Sequence, residues 1–153
     1  VIDNLVGYDF FCVFAYSELL NERHLSLPSH GVVNLHPSLL PQYRGAAPIM
    51  QAILDDTRDT GITLMKLERG MDSGPIIAQR EVRFDSWGKW YLHEHIFATH
   101  GATLFIDAMP RYLSGELTPV EQNHEAATYC EKIEKKDKEI SLSDKPYTQY
   151  RTK

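Results

Sequence analysis

The sequence predicts an α/β fold, a mostly parallel sheet flanked by helices, and three stretches predict it. "FFCVFAY", Phe10 to Tyr16, is a continuous apolar run rich in aromatics. That pattern suits a strand buried on both faces. "ELLNERHLSL" follows and can form a short helical crossover. "GVVNLH" is then a second buried strand, with Gly31 at its start. Strand, crossover, strand is the pattern of a βαβ unit.

The remaining elements follow in order. "AAPIMQAILDD" reads as a helix: Pro48 sits in its first turn, where a missing N–H costs little, and Ile49, Ala52 and Ile53 fall on one face. "GITLMKL" is a third strand and "RGMDSGP" a turn with two glycines. "IIAQREVRF" alternates as a half-exposed strand does, antiparallel and near an edge. From Trp90 to about Leu113 the pattern is helical: Leu92 and Ile96 share a face that Leu104, Ala108 and Met109 continue. Beyond "SGELTP" the chain turns polar, so the expected division is a domain over 1–120 and a polar surface segment over 121–153.

The length of 153 residues suits one domain with its own core. A net charge of −5 excludes a chain that binds polyanions over its whole surface, so any nucleic acid must be gripped by a local patch or by sequence outside this chain. Cys12 and Cys130 define no disulfide framework, and Cys12, inside an apolar run, is expected to be a buried thiol. No apolar window is long enough to span a membrane, and the first ten residues lack the pattern of a secretory signal; the expected compartment is the cytoplasm. The chain opens directly on a buried-type strand, which would leave an apolar sheet edge exposed. It is therefore expected to be the middle of a longer protein, incomplete at the N-terminus.

Ligands of open α/β sheets bind at the carboxyl ends of the strands. Asn34 and His36 end "GVVNLH" two residues apart, so in an extended strand they point to the same side. Pro37 biases His36 toward an extended conformation. Asp72 lies in "GMDSG", where Gly70 and Gly74 permit a tight turn at the end of the neighbouring strand. An amide, an imidazole and a carboxylate can thus meet across the mouth of the sheet. An amide NH₂ and a protonated imidazole both donate to an oxyanion forming on an attacked carbonyl. A nearby carboxylate raises the imidazole pKa from about 6.5, keeping it a cation, and can itself take a proton. No serine or cysteine stands out as an activated nucleophile, which favours direct acyl transfer from a bound donor.

Each of these residues also has a plainer reading. A histidine at a strand end is more often structural than catalytic. "SLLP" could be a turn with two core leucines, and Asp72 a turn aspartate. Arg44 could be a surface residue and Tyr43 a packed aromatic. His93, His95 and His100 in "LHEHIFATH" invite a metal reading. On a helix, however, His93 and His95 diverge by about 200°, so no metal site is expected there.

Several elements occurring in one order decide between these readings. "NLHPSLLPQYRGAAPIMQAIL", followed by Asp72 in "GMDSGPI", resembles the folate-dependent formyltransferases, whose signature is Asn-x-His, Ser-Leu-Leu-Pro and an aspartate in a glycine-flanked loop. "YRGAAPIMQAIL" and the later "LFIDAMPRYLSGELTPVEQNHEAATYCEKIEKKDKEI" are similar to the methionyl-tRNA branch of that family, over about Tyr8 to Ser141. The resemblance implies a Rossmann-like formyltransferase domain with Asn34, His36 and Asp72 as its catalytic trio. It implies a folate-contacting loop of Ser38, Leu39, Leu40 and Pro41, and a pterin pocket lined by Tyr16, Leu19, Gly70 and Met71. Arg44 and Gly45, in the matching Arg-Gly stretch, are the implied substrate-binding residues.

The implied co-substrate is 10-formyltetrahydrofolate, with no metal. The implied acceptor is the amino group of methionine on initiator methionyl-tRNA, in a complete protein expected to be monomeric and off the membrane. In the implied mechanism the amine attacks the formyl carbon, His36 and Asn34 hold the oxyanion, and Asp72 sustains the imidazolium. Two departures from the family pattern stand out. Ser17 replaces a glycine at the pocket rim, and both the family's amino-terminal strands and its small carboxy-terminal tRNA-gripping barrel are absent from these residues. Two alternatives stay open: transfer to a nucleotide-linked amino sugar, to glycinamide ribonucleotide or to water, and a non-catalytic folate-binding fragment.

Overall fold

The computed structural model describes residues 7–16, 20–87 and 90–133, with the side chains of 90–92 excluded. Strand β1 (Phe11–Val13) leads to helix α1 (Glu22–Ser26), strand β2 (Val32–His36) and the two-residue strand β3 (Arg44–Gly45). Helix α2 (Pro48–Leu54), strands β4 (Asp59–Lys66) and β5 (Ile76–Arg83), helix α3 (Trp90–Leu113), a 3₁₀ turn (His124–Ala126) and strand β6 (Tyr129–Cys130) follow.

The main sheet has the order β1-β2-β4-β5. The β1–β2 pair is parallel across α1, as the βαβ pattern predicts. The β2–β4 and β4–β5 pairs are antiparallel, so the described part of this α/β sheet carries its parallel character at the β1–β2 end. Strand β5 is half-exposed and at the sheet edge, as its alternation predicts. A second, two-stranded sheet pairs β3 with β6 in parallel.

The core forms where α3 crosses the sheet. Val33 and Leu35 of β2, Ile62 and Leu64 of β4, and Val82 of β5 pack with Phe97, Leu104, Ala108 and Met109 of α3. The helix sits at ordinary packing distance at Gly101, where a Cβ would meet Ile62 Cδ1 at 3.6 Å. Alternation along β2 then sends Asn34 and His36 to the opposite side of the strand from Val33 and Leu35. Helix α2 starts at Pro48, whose ring needs no N–H partner, and buries Pro48 and Ala52.

One expectation is corrected. Strand β1 is not buried on both faces: Phe11 and Val13 are half-buried, and Cys12 is exposed rather than a core thiol. The cause is its position, with one sheet neighbour and three paired residues among the described residues. Contacts cross residue 120. Val120 bridges to Ile76 and β6 pairs with β3, while Gln122 and Cys130 are buried. Residues 134–153 lie outside the described residues.

The turn after β2 hangs on one hydroxyl. Thr63 Oγ1 donates to the Ser38 carbonyl at 2.7 Å and accepts from the Leu40 N–H at 3.1 Å and the Gln79 amide at 2.8 Å. A hydroxyl has one proton and two lone pairs, so all three capacities are used. Thr63 is fully buried, and water has no path to replace it. Thr63→Val keeps the shape but strands a buried N–H and a buried carbonyl, so it should lower unfolding stability by about 3 kcal/mol. Urea unfolding reads this as a lower midpoint at unchanged slope; a loss under about 0.5 kcal/mol would contradict it.

Candidate active site

The site forms where β2 ends and three connections converge. His36 is buried, and its Nε2–H donates to the Tyr43 carbonyl at 2.8 Å. A carbonyl can only accept, so Nε2 carries the proton and Nδ1 presents its lone pair. Nδ1 lies 3.6 Å from Asp72 Oδ2. In the neutral ring both facing atoms are acceptors, and the gap is too long for a hydrogen bond. A proton entering it is held from both sides.

The Asp72 carboxylate is itself fixed, because the Gly45 N–H donates to Oδ2 at 2.8 Å. Two glycines make this contact possible. A Cβ on Gly45, at φ 119°, would lie 2.2 Å from the Cys130 carbonyl oxygen. A Cβ on Gly74 would lie 2.2 Å from the Lys66 carbonyl oxygen, so no larger residue closes the loop between β4 and β5 this tightly. Asp72 takes the left-handed conformation at φ 47°, which aspartate tolerates better than most residues. Tyr43 does the same at φ 56°, and this aims its carbonyl at the imidazole.

Burial dominates the electrostatics of His36. Loss of water lowers its pKa from 6.5, while the Asp72 charge and the Tyr43 carbonyl push it up and do not prevail. This corrects the expectation of a standing imidazolium: the carboxylate acts in the expected direction, but the desolvation of a buried ring is larger. The resting ring is neutral.

These groups face a cleft of about 1230 Å³ whose walls include Asn34, His36, Gly45 and Asp72. Tyr16, Gly70 and Met71 also line it, with Met71 61% exposed at its rim. Leu19 and Ser17 lie outside the described residues. The volume suits a drug-sized or larger small molecule.

Much of the turn after β2, and Arg44, is buried. Ser38 and Leu40 are buried beneath the cleft, with Ser38 Oγ donating to the Gln42 carbonyl at 2.6 Å. Leu39 packs against Gly61, and none of Ser38, Leu39, Leu40 or Pro41 lines the cleft. The Thr63 hydroxyl draws the loop backbone inward here. Arg44 is 2% exposed and turned away from the cleft. Its guanidinium donates to Gln122 Oε1 from Nε at 3.1 Å and Nη2 at 2.6 Å, with His124 Nδ1 3.1 Å from Nη2. Gly45 alone of that pair reaches the cleft.

His93 is buried between Phe84 and Trp87, with ring centroids 4.9 and 4.8 Å away. Among the described residues no three His, Cys, Asp or Glu side chains gather as metal ligands would, and no helix is long and apolar enough to cross a membrane. Sequence reasoning missed Thr63, Gln122 and Thr128. Thr128 Oγ1 accepts from the Tyr43 N–H at 2.8 Å, although the two lie 85 residues apart. Polar residues in a buried strand and in a polar tail carry no local signal of such contacts.

Comparison with known proteins places this geometry. The chain is 38% identical over 138 residues to a methionyl-tRNA formyltransferase of Thermotoga neapolitana, covering 90% of this chain and 44% of that protein. It is 42% identical over 132 residues to that of Chloroflexus aurantiacus, covering 86% and 42%. The chain thus spans less than half the length of these relatives. It is also similar to a solved formyltransferase from Anoxybacillus kamchatkensis, in complex with UDP-4,6-dideoxy-4-formamido-L-AltNAc and tetrahydrofolate, with TM-score 0.75 and 26% identity over 97% of this chain and 77% of that one. Residues 4–88, more than half of this chain, match the family model described as Formyl transferase; the chain belongs to that family.

Proposed function

We propose that this chain carries the catalytic centre of an enzyme that moves a formyl group from 10-formyltetrahydrofolate to the amino group of methionine on initiator methionyl-tRNA. The observation that carries the reading is the His36 Nδ1–Asp72 Oδ2 approach of 3.6 Å at a cleft also lined by Asn34. Family membership and the names of the more similar relatives support the donor and the acceptor. Asn34, His36 and Asp72 are the catalytic residues in this reading, and Tyr16, Gly70 and Met71 line the folate side.

The chemistry follows from the neutral imidazole. The neutral amine attacks the formyl carbon, and the carbonyl oxygen gains negative charge that the Asn34 amide can meet. His36 Nδ1 takes the proton the amine must lose, and Asp72 stabilises the imidazolium so formed. The proton then goes to the departing tetrahydrofolate nitrogen as its bond to carbon breaks, and the ring returns to neutral.

In the full-length protein, His36→Ala and Asp72→Asn should each lower kcat by ~10²–10⁴, the range for losing a general base or an oxyanion-stabilising group. Asn34→Ala should lower kcat more than it raises KM for the folate donor. Near-parental turnover in all three rejects these roles. Because burial lowers the His36 pKa, the ring stays available as a base down to a pH below 6.5. Titration of the His36 ring followed by NMR in the substrate-free protein should therefore have its midpoint under 6.5; a midpoint above that value contradicts a neutral resting ring. Likeness to a formyltransferase solved with a formamido nucleotide sugar raises a second acceptor. Parallel assays with initiator methionyl-tRNA and with nucleotide-linked amino sugars separate the two, and faster transfer to the sugar overturns the leading reading.

A further inference from the structure

Gln122 spends all four hydrogen-bonding capacities of its amide in one place. Oε1 accepts twice from the Arg44 guanidinium, at 3.1 and 2.6 Å. Nε2 donates to the carbonyls of Asp72 at 2.9 Å and Gly74 at 2.7 Å. The opposite orientation of the amide would set donors against donors and acceptors against acceptors, so the chemistry of the neighbours fixes which atom is which. Gln122 is 5% exposed and does not line the cleft.

The two groups it joins flank a single contact. Arg44 precedes Gly45, whose N–H holds Asp72 Oδ2, and the Asp72 carbonyl belongs to the loop that presents that carboxylate. The bridge between Val120 and Ile76, through hydrogen bonds of 2.8 Å in both directions, delivers Gln122 to this spot. We infer that Gln122 is a positioning residue: by tying Arg44 to the backbone of the Asp72 loop, it sets the distance of the Asp72 carboxylate from Gly45 and His36. The inference rests on the proposed catalytic role of Asp72, and it names a residue of the polar tail as part of the machinery that keeps that role in register. It touches no reacting atom.

Gln122→Glu in the full-length protein separates the two halves of the tie. The carboxylate keeps a partner for Arg44, whereas the Asp72 and Gly74 carbonyls lose both donors and face an anionic oxygen. The expected outcome is a folded protein in which the Gly45 amide proton exchanges at least about tenfold faster and its resonance shifts, because its carboxylate partner has moved. Turnover should fall ~10- to 100-fold, with KM for the folate donor changed far less, as misplacement of a catalytic group requires. Gln122→Met, of similar length but without either set of bonds, should show the same split and serves where the glutamate variant fails to fold. An unmoved Gly45 amide overturns the inference, and so does faster exchange with parental kcat. The amide readout needs no substrate, so a protein inactive on every acceptor tried would count against the proposed function and leave the loop tie separately tested.

Discussion

The site depends on one hydrogen bond, from the Gly45 N–H to Asp72 Oδ2. It joins the strand after the β2 turn to the loop between β4 and β5, and it orients the carboxylate toward the buried face of His36. Much of the unusual backbone nearby serves that contact. Gly45 has no room for a side chain, Gly74 closes its loop against the Lys66 carbonyl, and Asp72 adopts a left-handed conformation. Such conformations each cost of the order of 1–3 kcal/mol and persist only where surrounding contacts over-determine them. Here the surrounding contacts are Gln122, Thr128 and the β3–β6 pairing.

Around that bond the fold sets two opposing influences on the imidazole. Removal from water favours the neutral ring, and a carboxylate 3.6 Å away favours the charged one. Neither is relaxed by solvent in so enclosed a position, so the energies of the two protonation states are brought closer than either influence alone would leave them. The Tyr43 carbonyl contributes something different: it assigns the resting proton to Nε2 and leaves Nδ1 as the working atom. In the proposed mechanism, acid–base function thereby falls to one nitrogen of one ring.

What the sequence made legible was whatever has a local signature. Runs of apolar residues located β2, β4 and the core face of α3, and Pro48 located the start of α2. Asn34, His36 and Asp72 were legible as an ordered motif, and all three line the same cleft. Aromatic content suggested a doubly buried β1, but burial depends on how many neighbours a strand has, and β1 has one among the described residues. The backbone of the "SLLP" turn is bound from beneath by a threonine 25 residues later, which the motif itself does not announce. The burial of Arg44 depends on Gln122, 78 positions away, which no local pattern announces. Residue types report their own preferences, and contacts at such separations are settled by packing.

The order of the site along the chain has a consequence for synthesis. Asn34, His36 and Asp72 are all synthesised before the groups that secure their surroundings, Gln122 and Thr128, which arrive some fifty residues after Asp72. Bridging such separations means closing long loops, which is slow and entropically opposed until the later segment docks. A nascent chain therefore carries the motif well before the contacts that hold it in place, and those come with the β3–β6 pairing.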